Sequence, residues 1–159
     1  MKRSLIVSFV IIFSLISCSR GKVYEKHHKL ENFTWKRIDS SIFFEVEIED
    51  TTSNYDVYIA VRYIDGINLD HIETGLSIYT PDGAEYYDEY KIRLVNNDGS
   101  YRGSVAGDIW DLSEMLIKNM PFAKSGTYKF EIENLTGNKY ETRGIMEIGL
   151  IIKKTKKIE

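Results

Sequence analysis

From Ile42 to Glu49 the chain alternates without interruption. Phe44, Val46 and Ile48 fall on one side, and Glu45, Glu47 and Glu49 on the other. A period of two marks a strand with one buried face. Asp50-Thr51-Thr52-Ser53-Asn54 reads as a turn, and Tyr55 to Ile64 resumes the pattern with Val57, Ile59, Val61 and Tyr63 aligned. Residues 65 to 74 read as a loop. Leu76, Ile78 and Thr80 mark a strand that Pro81-Asp82-Gly83 ends with turn residues. Tyr86, Asp88, Tyr90, Ile92 and Leu94 alternate again, up to the turn signal Asn97-Asp98-Gly99. Thr127 to Glu133 sets Tyr128, Phe130 and Ile132 against Lys129, Glu131 and Glu133. Gly144 to Lys153 closes the series with Ile148, Leu150 and Ile152 inward.

Two stretches are less regular. Gly103 to Gly107 lacks bulk and reads as loop. In Asp111 to Asn119 the residues Leu112, Met115 and Leu116 fit one helical face capped by Asp111, while Met115 to Lys118 also fits a strand. The expectation is a short helical turn followed by a strand. About seven short strands with turn signals between them predict two packed antiparallel sheets, a single β-sandwich. Its core is expected from Phe44, Val46, Ile48, Val57, Ile59, Val61, Tyr128, Phe130, Ile132, Ile148, Leu150 and Ile152.

The N-terminus follows a different pattern. Lys2 and Arg3 precede an apolar run from Leu5 to Ile16, broken only by Ser8 and Ser14. The run is shorter than the roughly 20 residues of a spanning helix and has the length of a signal-peptide core. It ends in Leu15-Ile16-Ser17-Cys18, the order of a lipobox, and Cys18 is the only cysteine in the chain. Residues 1–17 are therefore read as a lipoprotein signal peptide, with Cys18 as the lipidated N-terminus of the mature protein. Residues 18–29 are read as a polar tether and 30–155 as the sandwich. More than one acyl chain anchors a protein stably. No second cysteine exists to form an intramolecular disulfide.

Removing residues 1–17 from 159 leaves 142, enough to bury a core without staples. The formal charge of −3 falls to −5 once Lys2 and Arg3 leave. A mildly acidic domain argues against nucleic acid as a partner. The basic stretch Lys153-Lys154-Thr155-Lys156-Lys157 is read as a solvated strand end.

Several ordered features carry a resemblance. Val23-Tyr24-Glu25 follows the lipobox, and Trp35 shortly precedes Phe43-Phe44. Ile48-Glu49-Asp50-Thr51-Thr52 leads to Tyr55, Tyr58-Ile59 and Val61-Arg62. Thr80-Pro81-Asp82-Gly83, Asp98-Gly99-Ser100-Tyr101-Arg102-Gly103 and Gly107-Asp108-Ile109 follow. Phe122, Ser125-Gly126-Thr127-Tyr128, Gly144-Ile145 and Ile148-Gly149-Leu150 complete the set. Over Val23 to about Lys154 the chain resembles the gliding-motility lipoprotein GldH family of the Bacteroidota. The resemblance implies association with the gliding apparatus of the cell envelope and its linked secretion system. It implies no catalytic residues.

The residues themselves offer little chemistry. His27 and His28 lie in the expected tether and His71 elsewhere, so no metal site is expected, nor any cofactor. No Gly-x-Ser-x-Gly elbow exists. Acids such as Asp65, Asp70, Glu73, Glu85, Asp88 and Glu89 read as solubilising charge, although a pair of carboxylates assembled from distant strands is the one catalytic arrangement left open. Asn96, Asn97, Asp98, Asp108 and Asp111 offer oxygens to calcium but lack EF-hand spacing and read as turn and cap residues. Tyr79, Tyr86, Tyr87, Tyr90, Tyr101 and Trp110 would suit an exposed aromatic row that stacks on sugar or a partner protein, but they read mainly as core. Tyr87 is the one expected to be exposed, on the face of Glu85, Glu89, Lys91 and Arg93. Asp50-Thr51-Thr52 fits an O-glycosylation acceptor at Thr51 as well as a plain interstrand turn.

Two functions follow as expectations. The first is a non-enzymatic, membrane-anchored component of the gliding and secretion apparatus that binds other envelope proteins. The second is a carbohydrate-binding or carbohydrate-processing envelope lipoprotein. The basic residues Arg20 and Lys22 after Cys18 favour the outer membrane with the domain facing the periplasm.

Overall fold

A computed structural model describes residues 21–38, 40–137 and 140–155. The signal-peptide segment and Cys18 lie outside them. Eleven strands run along the described chain: β1 Lys22–Lys29, β2 Thr34–Lys36, β3 Ile42–Ile48, β4 Asn54–Ile64, β5 His71–Tyr79, β6 Glu85–Arg93, β7 Ser104–Ala106, β8 Ile109–Pro121, β9 Gly126–Asn134, β10 Glu141–Arg143 and β11 Ile145–Lys154. They form a five-stranded sheet in the order β1-β11-β4-β8-β7, a four-stranded sheet in the order β3-β9-β5-β6, and a two-stranded ribbon of β10 and β2. Every strand pairing is antiparallel.

The two larger sheets pack through the faces expected from the alternation. Phe44 lies opposite Phe130 and Val46 opposite Tyr128 in one sheet. Ile59 lies opposite Leu150 and Val57 opposite Ile152 in the other. All twelve expected core residues are buried in one cluster. Burying each large apolar side chain contributes roughly 1.5–3 kcal/mol before conformational entropy is set against it, so this cluster holds the fold. One end is sealed by aromatics: the Phe122 ring sits 5.1 Å from Tyr55 and 4.6 Å from Tyr128, measured between centroids.

Four expectations are corrected. Of residues 65 to 74, read as loop, His71 to Thr74 belong to strand β5, with Ile72 buried opposite Ile92. Residues 22–29, read as tether, form edge strand β1, in which Lys26 lies opposite Leu150 and Lys29 opposite Glu147. Their side chains are almost all exposed, so no one-sided apolar alternation announced the strand; its backbone hydrogen bonds to β11 make it. Ser104–Ala106, read as loop, is strand β7 beside β8. Gly103 permits this: its φ is +113°, and a Cβ there would collide with the Asp111 carbonyl. Asp111 to Asn119 forms no helical turn but belongs to the 13-residue strand β8. The apolar residues Leu112 and Met115 are drawn into the ladder by Val61 and Tyr58 of β4, and the register shifts on either side of Val57 blur the period of two.

Candidate docking end of the sandwich

The ribbon β2–β10 closes one end of the sandwich. Trp35 at its centre is fully buried and pairs with Thr142. Asn134 at the end of β9 fixes the ribbon, donating from Nδ2 to the Trp35 carbonyl at 2.8 Å and to Thr142 Oγ1 at 3.0 Å. Its Oδ1 accepts from the Thr136 N–H at 3.0 Å. Thr136 in turn receives the Glu73 N–H on its hydroxyl at 3.1 Å. Buried side-chain amides that are satisfied this fully specify one arrangement. The cap is therefore a rigid part of the domain rather than a loop lying on it.

The segment entering the ribbon is strained. Glu31–Phe33 makes a short 3-10 turn in which Asn32 has φ +51° and Phe33 φ +54°. Asparagine tolerates the left-handed region; a phenylalanine there is an outlier that costs of order 1–3 kcal/mol and persists where neighbours hold it. Gly144 N–H donates to the Phe33 carbonyl at 2.8 Å, and Thr34 Oγ1 donates to the Asn32 carbonyl at 3.0 Å. The result leaves the Phe33 ring 48% exposed. Ile38 and Tyr140, at the far end of the same ribbon, are 59% and 80% exposed. Arg37 N–H donates to the Tyr140 carbonyl at 2.8 Å, which ties these two neighbourhoods together.

Two clefts flank the ribbon. One, of about 800 Å³, opens between the end of β1 and Ser40–Ile42, and its walls include His28, Lys36, Glu141 and Arg143. The other, of about 430 Å³, is lined by Ile64, Ile67, Leu69 and Gly144, with Glu141 and Arg143 shared between the two. Arg143 pairs with Glu141 at 2.7 Å. The lining mixes both charges with apolar surface, as a protein contact rim does.

The other sequence-derived sites fall elsewhere. Thr51 is exposed in the turn before β4, and among the described residues its hydroxyl is in no hydrogen bond; Asp50 builds the turn, accepting the Thr52 N–H at 2.8 Å and the Ser53 hydroxyl at 2.7 Å. Lys154 donates to Asp50 at 2.8 Å and holds its carboxyl far below the ordinary range. Asp82 is pushed down to about 2, first by Lys124 and then by the Thr80 hydroxyl. Burial pushes Tyr63 up to about 12. Each of these shifts belongs to a turn or to the core. Asp98 closes its turn on Ser100 at 3.0 Å, whereas Asp111, expected to cap a helix, receives the Arg62 guanidinium at 2.7 and 3.1 Å across β4 and β8. The candidate calcium residues are thus spread over two turns, with Asp108 between β7 and β8, and a strand face. Among the described residues no three His, Cys, Asp or Glu side chains are grouped to hold a metal ion.

Of the aromatics, Tyr101 packs edge-on against Tyr63 and tilted against Trp110, with centroids at 6.0 and 5.5 Å. Tyr87 is exposed as expected and covers Gly75. Tyr86 is also 60% exposed, against its inward reading, because β6 is an edge strand and Tyr86 lies beside the β5–β6 hairpin turn, where β6 is exposed on both faces. Tyr86 and Tyr87 are consecutive and so face opposite ways; they make no row. The Phe33, Ile38 and Tyr140 set escaped the sequence reading. No periodicity links three residues that a two-stranded ribbon and a left-handed turn bring to one end.

Residues 22–152 match the family model described as GldH lipoprotein. A gliding motility lipoprotein GldH homolog of Christiangramia forsetii is 26% identical over 149 residues, covering 92% of this chain and 90% of that one. The gliding motility lipoprotein GldH of Flavobacterium johnsoniae is 24% identical over 119 residues, 75% of this chain and 72% of that one. Among solved structures, the VP2 subviral particle of infectious bursal disease virus aligns with a TM-score of 0.39 at 12% identity. The alignment covers 86% of this chain and 33% of that one, and it is too loose to carry an argument.

Proposed function

The chain belongs to the GldH lipoprotein family, and from that premise we propose that it is a non-catalytic, lipid-anchored component of the gliding and secretion apparatus that binds other envelope proteins. Membership makes it a membrane-anchored envelope lipoprotein. The proposal adds Cys18 as the acylated residue, the outer membrane with the domain facing the periplasm as its place, and the β2–β10 end as the docking surface.

One observation carries the docking reading. Phe33, Ile38 and Tyr140 hold apolar side chains in solvent on a rigidly hydrogen-bonded cap, and Phe33 does so from a strained backbone. Exposed aromatic side chains on a rigid support are the usual anchors of protein interfaces. Thr51 is proposed in addition as an O-glycan acceptor, since its turn is exposed and its hydroxyl makes no hydrogen bond among the described residues.

The test is capture of the tagged, lipidated protein from detergent-solubilised envelopes, in parallel with a Phe33→Gly/Ile38→Asp/Tyr140→Ser variant. The wild type should retain a reproducible envelope partner that the variant loses, with acyl labelling and thermal unfolding unchanged. Equal capture by the folded variant contradicts the assignment of this end.

A further inference from the structure

Both termini of the described chain meet at the end of the sandwich opposite the cap. The Lys154 N–H donates to the Gly21 carbonyl at 2.7 Å, and the Thr155 N–H donates to the Asn54 carbonyl at 2.9 Å. Lys22 lies opposite Lys153 across β1 and β11. The Asp50–Ser53 turn belongs to the same end, through the bond from Lys154 to Asp50. Because Lys22 already sits in the ladder, only Ser19, Arg20 and Gly21 separate it from Cys18. Fully extended, Cys18 to Lys22 spans at most about 14 Å.

We infer that this end is the membrane-facing surface of the domain, resting on the phospholipid headgroup layer, and that the β2–β10 cap is carried away from the bilayer. The inference rests on acylation at Cys18. A diacylglyceryl thioether holds its sulfur at the membrane surface, so a leash this short cannot let the far end of β1 exchange places with the near end. The leash decides the orientation. Charge alone would not select it, because Glu49, Asp50 and Asp82 share this end with Lys22, Lys124 and Lys154. The lysines do favour an anionic surface: Lys153 and Lys154 leave β11 beside the leash, and the sequence continues through Lys156 and Lys157. β11 is ten residues long, so the cap stands roughly 30 Å beyond this end. A partner docking there meets the protein above the headgroups rather than at them.

The chain suits a direct test, because its one native thiol is the acylated one. Thr51→Cys and Tyr140→Cys place a single free thiol at the two ends, both at exposed positions. Each full-length lipidated variant is reconstituted in phosphatidylethanolamine/phosphatidylglycerol vesicles and labelled with a bulky polyethylene-glycol maleimide, and its rate is compared with the rate in detergent. The vesicles should slow Thr51→Cys severalfold and leave Tyr140→Cys unchanged. A flexible Gly/Ser insert of about 20 residues between Arg20 and Gly21, with a mean reach of about 25 Å, should restore the Thr51→Cys rate. Acyl-labelled protein whose two thiols react alike in vesicles overturns the orientation and leaves the anchor standing. Protein without acyl label overturns both.

Discussion

The backbone N–H of Lys154 and the carbonyl of Gly21 meet at 2.7 Å, so the last strand of the sandwich finishes where the run to Cys18 begins. That bond opens the β1–β11 ladder, which turns a segment expected to be a loose tether into the first strand of the five-stranded sheet. Only Ser19 and Arg20 lie between the hydrogen-bonded Gly21 and Cys18.

Two phenylalanines of the four-stranded sheet separate core from surface. Phe130 is fully buried, and Phe43, on the outer side of β3, is 47% exposed. Phe130→Ala should cost about 3–5 kcal/mol, a large share of an ordinary domain's stability. Phe43→Ala should stay within about 1 kcal/mol, since it loses mainly the Lys129 ammonium 4.0 Å from the ring centroid. Urea unfolding of both variants measures the difference.

Gly103 should resist substitution. Gly103→Ala puts a Cβ into the Asp111 carbonyl at a φ of +113°, and a destabilisation of about 1–3 kcal/mol is expected from the strain. Hydrogen exchange should show it first as lost protection in Ser104–Ala106. A variant as stable and as protected as the wild type contradicts the close approach of β7 to β8.

Phe33 separates stability from binding. Phe33→Gly removes a side chain from a left-handed position, so strain relief and the extra freedom of glycine, each about 1 kcal/mol, should nearly cancel. Thermal unfolding should therefore barely move, while partner capture falls. A large drop in melting temperature would mean that the ring serves the fold.

The acid limb of stability should depend on Asp82. Its folded pKa of about 2 lies below the roughly 3.9 of an unfolded aspartate. The lowered value contributes stability above pH 4 that is lost as the pH falls from about 4 to about 2. Asp82→Asn should shift the melting temperature at pH 6 more than at pH 2. Because Asp82 and Lys124 are solvent-exposed, added salt should shrink the effect.

Much of the sandwich was legible because burial on one face of a strand leaves a period-two imprint. Phe44-Val46-Ile48 and Tyr128-Phe130-Ile132 carry it plainly, and the structure pairs those two strands directly. β1 was not legible, since its backbone rather than its side chains is what β11 needs. β8 was misread in part because a strand half covered by the facing sheet keeps apolar residues on both sides, and Leu112, Met115 and Leu116 imitate a helical spacing. The candidate docking end was invisible for another reason: Phe33 on one side and Ile38 and Tyr140 on the other come to flank a single ribbon only once β2 and β10 pair, and nothing in the sequence marks Phe33 as left-handed.

The role proposed for this lipoprotein is to hold a partner at its cap. Site-specific photo-crosslinking in living cells tests it most directly. A benzoylphenylalanine is placed singly at Ile38, Tyr140, Thr51 and Tyr87, with acylation and folding verified for each. One shared envelope protein should be trapped from Ile38 and Tyr140, and not from Thr51 or Tyr87. Adducts that form from Tyr87 alone, or cells that keep full function with the cap residues replaced, would contradict it.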